Sequence, residues 1–309
     1  MRRLRFLQLD VFTDTIFGGN QLAVFLDATR VTPEEMQAIA REMNFSESVF
    51  TLAGEDPRAV ARLRIFTPQV ELPFAGHPVI GATFALAAAG EINTDTDSPV
   101  TLEVGVGPLA IELLFADGRL SFAWMSQPTP VFQPWDGDRA ALAASVGLAL
   151  EDLRADLPIE RGSAGVPFVL IPITSEQALD RAQPGSTLGA ALHDAVSHTG
   201  AYLFVPPGVD TAQPVSARMF AQGMGIVEDA ATGSAAGPLG AYLTRHGLAP
   251  VDDGQARITI AQGVQMGRPS RLVVTVERRD TEITGVRVGG EAVVVAQGEF
   301  LLPDTPADV

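Results

Sequence analysis

A chain of 309 residues, with 46% apolar and 19% charged side chains, is long enough for two globular domains of roughly 150 residues each. Its formal net charge of -16 would repel a phosphate backbone, so nucleic acid is not an expected partner. The absence of cysteine excludes disulfides, thiolate metal sites and a catalytic thiol.

The start of the chain and its apolar stretches argue against export or membrane insertion. Arg2, Arg3 and Arg5 resemble the start of a signal peptide, but Leu4–Phe12 includes polar side chains and has no cleavage site. We therefore expect a first strand there and no leader. The most apolar stretch, Val79–Gly90, is about 12 residues long and too short to span a bilayer. The expected location is the cytoplasm.

Short strands alternate with turns through the first part of the chain. Apolar patterns predict strands at 5–12, 22–26, 48–51, 61–66, 101–104, 109–114 and 120–125. Thr32 and Pro33 predict the start of a helix, because threonine caps helices and proline suits the first helical position. The spacing of Met36, Ile39 and Met43 then predicts its buried face.

A second helix is predicted from near Pro78 to Gly90, and it has no polar face. A helix that is apolar on every side has to be surrounded by other elements. Its small residues let strands approach closely. We therefore expect this helix to run through a barrel-like sheet.

The second part of the chain repeats this order after a predicted linker at Gln127–Pro134, which contains three prolines and little apolar pattern. A polar helix is predicted at 138–148, and a second buried helix is predicted to open at Gly233 and end near Gly247. Strands are predicted at 166–173, 201–205, 216–220, 257–261, 271–276, 285–288 and 292–296.

The two parts can be superposed as sequences. A shift of 157 positions places Gly76 on Gly233 at the starts of the two buried helices. A shift of 154 places Arg64-Ile65-Phe66 on Arg218-Met219-Phe220 in the strands before them, so the second copy has a loop longer by three residues. We interpret this as an internal duplication. Chance agreement of small residues is the alternative.

Each predicted buried helix begins at a glycine-bearing turn, at 74–78 and at 231–235. The first turn of a helix has unpaired backbone N–H groups and the positive end of the helix dipole, and glycine lets an anion come close. Neither turn has the spacing of a nucleotide-binding loop. We therefore expect a small carboxylate as ligand. Ordinary helix capping is the alternative for either turn alone.

Polar side chains gather at the same two turns. They are Glu71 and His77 at the first turn, and Glu228, Asp229, Thr232 and Ser234 at the second. A histidine beside a glycine in a helix-opening turn is a candidate site residue. The other histidines, His193, His198 and His246, lie in polar or helix-ending contexts and are expected to be surface or capping residues.

Glu47 is the candidate acid/base. It stands between a predicted helix end and an apolar strand, with Phe45, Val49 and Phe50 close by in sequence. A carboxyl group hemmed in by apolar side chains is partly desolvated, which favours its neutral form and can poise it for proton transfer. A solvated turn residue is the alternative reading of the same segment.

Taken together, these segments resemble the PhzF-like (phenazine-biosynthesis-type) isomerases over almost the whole chain. The matching segments include FT (12–13) with GGNQLAV (18–24), NFSES (44–48), RIFTP (64–68) with ELPFAGHP (71–78), EDAATGSA (228–235) with GPLG (237–240), and QG (262–263) with MGRPS (266–270). The resemblance implies an α+β, diaminopimelate-epimerase-like fold of two pseudo-symmetric domains. Each domain would be a β-barrel wrapped around a central apolar helix, with the active site in the cleft.

We place the domains at 1–126 and 127–284, and we expect a strand within 285–302 to return to the first domain. In the family, a glutamate shuttles a proton during isomerisation of a cyclic dihydro-hydroxyanthranilate, with no metal or cofactor. The resemblance assigns that role to Glu47, and it assigns substrate contact to His77 and Asp229. The further residues implied to hold the substrate are Gly76, Thr232, Gly233 and Ser234.

The expected function is a cofactor-free isomerase that shifts a proton on a small cyclic or amino/hydroxy carboxylic acid, similar to trans-2,3-dihydro-3-hydroxyanthranilate isomerase. Related epimerases and proline racemases use two cysteine thiols, which this chain lacks. A non-catalytic small-carboxylate binding protein of the same fold is the alternative. The resemblance also implies a homodimer, and no metal, cofactor, nucleic-acid or membrane partner is expected.

Overall fold

The computed structural model describes residues 1–93, 98–192, 199–207 and 213–304. The chain divides into two compact units. Unit 1 consists of Met1–Ser126 together with Gly289–Val309, and unit 2 consists of Gln127–Val288. Each unit has its own apolar core and combines parallel and antiparallel strand pairs with a few helices.

The first segment of unit 1 is built mainly from strands. They are β1 (Arg2–Val11), β2 (Asn20–Phe25), β3 (Glu47–Leu52), β4 (Ala59–Phe66), β5 (Glu71–Leu72), β6 (Val100–Val104), β7 (Gly107–Ala116) and β8 (Arg119–Gln127). β1 pairs antiparallel with β2, β2 parallel with β3, and β3 antiparallel with β4. β4 pairs antiparallel with β5 and parallel with β6, and β6, β7 and β8 follow in antiparallel order. The predicted strands of this segment are confirmed to within three residues at their ends.

The helix α1 (Pro33–Met43) begins at the predicted cap. Thr32 Oγ1 accepts the backbone N–H of Glu35, and the Glu35 carboxylate accepts the backbone N–H of Thr32. This reciprocal pair satisfies two N–H groups at the helix start that would otherwise lack partners. The buried face of α1 packs in the apolar cluster that contains the stacked rings of Phe25 and Phe50, whose centroids are 4.7 Å apart.

The helix α2 (Gly76–Ala88) is the central helix of unit 1. It begins two residues before the predicted start at Pro78, and its first eleven residues are all buried. α2 contacts β1, β2, β3 and β4. A Cβ atom at Gly81 would collide with Leu22 and Val11, so glycine is what lets the helix come this close to the sheet. The prediction of a helix surrounded by other elements is confirmed for α2.

Unit 2 contains a second series of strands and four helices among its described residues. The strands are β9 (Val131–Pro134), β10 (Glu160–Ser163), β11 (Pro167–Pro172), β12 (Gly200–Phe204), β13 (Val215–Ala221), β14 (Ile226–Asp229), β15 (Gln255–Gln262), β16 (Ser270–Arg279) and β17 (Glu282–Gly290). The helices are α3 (Arg139–Ser145), α4 (Glu176–Arg181), α5 (Leu188–Ala191) and α6 (Gly233–Arg245). Single 3-10 turns lie at Ala28–Arg30 in unit 1 and at Leu150–Asp152, Gln222–Met224 and Val264–Met266 in unit 2.

The expected linker at Gln127–Pro134 is wrong for its second half. Val131–Pro134 forms β9, which pairs antiparallel with β10, and β10 pairs antiparallel with β11. β11 and β12 are parallel, β12 and β13 antiparallel, and β13 pairs with both β14 and β15.

The helix α6 is the counterpart of α2 in unit 2. It begins at Gly233, as predicted, and its residues from 235 to 244 are buried. α6 contacts β10, β11, β15 and β16. A Cβ atom at Gly240 would lie 2.6 Å from Val274 Cγ1, so here too a glycine allows close approach of strand and helix. The second predicted buried helix is therefore confirmed.

The last strand, β18 (Ala292–Leu302), belongs to unit 1. It pairs antiparallel with β1 from Arg2↔Leu302 to Val11↔Ala292, with one bulge at Gln8/Leu9, and it also contacts α2. Closure of the strands of each unit into a complete barrel stays a prediction. Within the described ranges, no helix is long and apolar enough to cross a membrane.

Candidate active site

Glu47 is the first residue of β3 and lies just after α1. α1 ends at Asn44, which adopts a left-handed conformation (φ 51°) that turns the chain toward the strand. β3 then pairs in parallel with β2, with Glu47 opposite Leu22. The Glu47 side chain is buried, with 7% of the residue exposed. The structure therefore places this carboxyl group inside unit 1 and not in a solvated turn.

His77 is the second residue of α2 and faces Glu47. Its Nε2 lies 3.5 Å from Glu47 Oε2, and its Nδ1 lies 3.3 Å from Nδ2 of Asn20, the first residue of β2. Asn20 Oδ1 in turn accepts the hydroxyl of Ser46 at 3.2 Å. The starts of α2, β2 and β3 thus converge on one buried imidazole, and Ser46 is linked to it through Asn20.

Burial determines the charge of His77. The low-dielectric surroundings lower the pKa of the ring to about 3, although a hydrogen bond with the Gln21 backbone acts in the opposite direction. At neutral pH the imidazole is therefore uncharged. Its contact with Glu47 lies within ion-pair distance, but it joins a carboxyl group to a neutral ring. A neutral imidazole has one nitrogen that donates a hydrogen bond and one that accepts.

Asp229 is the last residue of β14 and is buried in unit 2. Its Oδ2 accepts the hydroxyl of Thr232 at 2.7 Å. Thr232 also donates its backbone N–H to Gln262 Oε1, and Gln262 accepts the hydroxyl of Tyr202. A second group of buried polar residues is thus formed immediately before α6.

The two helix starts provide backbone donors next to these side chains. Gly76 and His77 open α2, and Gly233 and Ser234 open α6. Amide groups in the first turn have no carbonyl partner within their own helix and lie at the positive end of its dipole. Binding of an anionic oxygen at either start stays a prediction.

Glu71 and Glu228, two of the polar residues noted at the turns, are engaged in ion pairs. Glu71 binds Arg64 through two hydrogen bonds of 2.7 Å, and Glu228 binds Arg218 through two of 2.8 Å. Each guanidinium also lies over the phenylalanine two residues further along its strand, at 5.2 Å in unit 1 and 5.0 Å in unit 2. We call the pairs Arg64–Glu71 and Arg218–Glu228 the arginine–glutamate clamps. Their matching geometry supports the internal duplication and indicates a structural role for both glutamates.

Of the remaining histidines, His246 alone lies among the described residues, and it is at the opposite end of α6 from Gly233. His246 is the C-cap of α6, and its Nε2 lies 2.8 Å from Glu160 Oε2, in agreement with the predicted capping position. His193 and His198 lie outside the described residues. Across the part of the chain that the structure describes, no cluster of three or more His, Asp or Glu side chains is placed to hold a metal ion.

The reasoning from side-chain types missed four residues that the structure brings to the two groups, namely Asn20, Ser46, Tyr202 and Gln262. Asn20 and Gln262 lie in segments that match the family, but the resemblance assigns no function to either residue. Amides carry no charge and show no periodic pattern, so composition and spacing do not mark them. Tyr202 lies in the predicted strand at 201–205, where it fits the apolar pattern and gives no separate signal of a polar contact.

Comparison with known proteins places this geometry in a family. The profile of the phenazine biosynthesis-like protein family matches residues 9–298. The chain is 38% identical over 294 residues to a trans-2,3-dihydro-3-hydroxyanthranilate isomerase of Pseudomonas fluorescens, covering 95% of this chain and 98% of that protein.

Solved structures agree with this result. A PhzF-family phenazine biosynthesis protein of Bacillus anthracis superposes with a TM-score of 0.87 at 28% identity, over 98% of this chain and 100% of the other. A probable proline racemase of Agrobacterium radiobacter, 13% identical, shares the fold with a TM-score of 0.68 over 97% and 93% of the two chains. The relatives and the shared fold thus define an isomerase. The chain belongs to the phenazine biosynthesis-like (PhzF) family.

Proposed function

We propose that this isomerase moves a proton between two carbon atoms of a small cyclic amino- or hydroxy-carboxylic acid, without a metal or cofactor. Trans-2,3-dihydro-3-hydroxyanthranilate, the substrate in the names of several relatives, is the first compound to test. The observation that carries the proposal is the buried contact of 3.5 Å between Glu47 Oε2 and His77 Nε2.

Glu47 acts as the acid/base in this proposal. Its carboxylate removes a proton from one carbon of the substrate, and the carboxylic acid so formed returns a proton to a second carbon. Substrate and product then have the same formula, and the enzyme ends in its starting state. His77 is neutral at working pH, so it can orient a polar group of the substrate or relay a proton.

The second group of residues binds the substrate in this proposal. Asp229, with the Thr232 hydroxyl on its Oδ2, accepts a hydrogen bond from the amino or hydroxyl group of the substrate. Backbone amides at the start of α6, together with Ser234, hold its carboxylate. Fixed N–H dipoles also stabilise the negative charge that develops when the proton leaves carbon.

The experiment follows the substrate by ¹H NMR in D2O. Wild-type enzyme should convert trans-2,3-dihydro-3-hydroxyanthranilate and introduce deuterium at carbon. Glu47→Gln should lower kcat by about 10²–10⁴-fold, because a positioned acid/base is lost while the shape of the side chain is kept. The affinity for product, measured by calorimetry, should change little.

Glu42→Gln, on an exposed position of α1, is the matched control and should keep full activity. Wild-type turnover in Glu47→Gln would remove Glu47 from the mechanism. A wild-type enzyme that binds the compound and exchanges no deuterium into it would remove the proposed reaction.

The proposal also includes a homodimer, which the family resemblance implies. Sedimentation equilibrium of the purified chain tests this assembly. A mass of one chain at micromolar concentration would contradict it.

A further inference from the structure

Gln262 is the centre of a buried hydrogen-bond network in unit 2. Its Oε1 accepts the hydroxyl of Tyr202 at 2.9 Å and the backbone N–H of Thr232 at 3.2 Å. Its Nε2 donates to the backbone carbonyl of Asp229 at 2.8 Å and to Thr232 Oγ1 at 2.9 Å. Gln262 and Tyr202 are fully buried, so water does not compete for these bonds. All four hydrogen-bonding positions of the amide are used.

The orientation of this amide is fixed by two backbone groups. The Thr232 N–H can only donate, and the Asp229 carbonyl can only accept. Rotating the Gln262 amide by 180° would set donor against donor and acceptor against acceptor, with all four groups buried. Burial also raises the pKa of Tyr202, so the phenol keeps its proton and donates it to Oε1.

This orientation determines where the Thr232 hydroxyl points. Because Nε2 of Gln262 is a donor, Thr232 Oγ1 has to accept from it. The hydroxyl has a single hydrogen, and that hydrogen is then directed to Asp229 Oδ2 at 2.7 Å. A neutral amide thus fixes the direction of a hydrogen bond that ends on a carboxylate.

The local sequence explains how the amide reaches this point. Gln262 is the last residue of β15, and Gly263 follows with φ 75°. A Cβ atom at Gly263 would lie 2.6 Å from the Ala230 carbonyl oxygen. Glycine therefore lets the segment after β14 lie against the end of β15, which brings Gln262 to Asp229 and Thr232.

We propose that Gln262 is a positioning residue for the isomerase reaction: it aims the Thr232 hydroxyl at Asp229 and so holds the Asp229 carboxylate in its working orientation. This inference rests on the proposed role of Asp229 in binding the substrate. It adds a residue that touches neither the substrate nor the reacting carbon atoms. Its effect passes through Thr232.

Four variants test the inference. Gln262→Glu keeps the size of the side chain and removes both N–H donors. When the new carboxyl group is ionised, the Thr232 hydroxyl turns to it and leaves Asp229, so the assays are run toward the alkaline end of the stable pH range. Thr232→Val removes the hydroxyl, and Thr232→Ser keeps it. Thr244→Val is the matched control, because Thr244 is a buried threonine at the far end of α6 whose hydroxyl binds the Gly240 carbonyl.

With trans-2,3-dihydro-3-hydroxyanthranilate as probe, Gln262→Glu and Thr232→Val should each lower kcat by roughly 10–100-fold, since a group misplaced by about 1 Å can cost 10²-fold. Thr232→Ser should stay within about threefold of wild type, and Thr244→Val should leave kcat and KM unchanged. The double variant Gln262→Glu/Thr232→Val should be no slower than the slower single variant, because both changes break one pathway.

Independent, multiplying effects in the double variant would overturn the inference, as would wild-type kcat in Gln262→Glu. Crystal structures of wild type and Gln262→Glu supply a readout without substrate. The Asp229 carboxylate should turn away from Thr232 in the variant, and an unchanged carboxylate would overturn the inference. Inactivity of the wild type on the probe would count against the proposed function alone, and the crystallographic comparison would then decide the role of Gln262.

Discussion

The buried ring of His77 makes the free energy of unfolding depend on pH below neutrality. Its pKa is about 3 in the folded protein and 6.5 when the ring is solvated. Between these values the unfolded chain binds a proton that the native protein does not. The contribution of the neutral His77 ring to the free energy of unfolding is therefore complete above pH 6.5. It is lost as the pH falls toward 3, by up to roughly 1.4 kcal/mol per pH unit.

Urea denaturation of wild type and His77→Gln between pH 7.5 and 4.5 measures this dependence. Other groups titrate in both proteins, so the difference between the two free energies of unfolding isolates the histidine. That difference should be constant above pH 7 and should fall with a slope near 1.4 kcal/mol per unit below pH 6. Parallel curves over the whole range would show that the ring has the same pKa in the folded and unfolded protein, and would contradict the prediction.

At the scale of single residues, the sequence identifies candidate site residues better than it predicts which residues they contact. Glu47 and His77 each stand out because of their neighbours in the chain, and both are buried in the structure. Their proximity to Asn20 depends on strand pairing and on the position of α2, which no local pattern encodes. The same holds for Gln262, which binds residues about thirty positions earlier. The assignment of catalytic roles stays a prediction.

At the scale of elements, the two arginine–glutamate clamps differ in burial, although their geometry is alike. The Arg218 side chain is 6% exposed and also donates to the Leu179 and Ala182 carbonyls, whereas the Arg64 side chain is 21% exposed. Removing one member of a buried pair leaves the other charge without compensation. The clamp in unit 2 should therefore matter more for stability than the clamp in unit 1.

Arg218→Met should lower the free energy of unfolding by about 3–5 kcal/mol, and Arg64→Met by about 1 kcal/mol or less. Methionine retains most of the aliphatic length, so the comparison isolates the charged head group. Urea denaturation monitored by circular dichroism measures both. Equal losses in the two variants would contradict the assigned difference in burial.

The helices and strands with the strongest local sequence patterns are the ones that the sequence predicts best. α1 has a cap, a proline and an apolar face, and it begins where predicted. α2 and α6 are recognisable because neither has a charged interior. The sequence pattern predicts too late a start for α2 because Gly76 and His77 are weak helix formers. The sequence predicts a linker in place of β9 because Pro128 and Pro130 precede this strand of four residues and Pro134 ends it.

At the scale of the whole chain, unit 1 is discontinuous and unit 2 is continuous. The ring of Phe300 in β18 packs edge-on against Phe6 and Phe25, with centroids 5.7 and 5.4 Å away. Without β18, one edge of β1 and part of the surface of α2 would be exposed. Unit 2 has a separate apolar cluster that includes Leu142, Ile171 and Phe220.

A fragment of residues 127–288 should therefore fold alone, and a fragment of residues 1–126 should not. Joining residues 1–126 to 289–304 through a short glycine–serine linker should restore folding, because a Cβ atom on Gly289 would lie 2.7 Å from the Ala123 carbonyl oxygen within the same unit. Cooperative urea transitions and dispersed amide NMR spectra report folding. A cooperative transition for residues 1–126 alone would show that β18 is dispensable.

The pairing of β1 with β18 also affects when unit 1 can fold during synthesis on the ribosome. A ribosome has to add about 165 residues after position 126 before β18 begins. At about 5–20 residues per second, that is a delay of roughly 10–30 s. During this interval the nascent first strand has one unpaired edge, the kind of surface that invites intermolecular pairing. Unit 2 can thus complete its folding before unit 1, although most of unit 1 is synthesised earlier. The N-terminal segment of unit 1 therefore depends longest on chaperones.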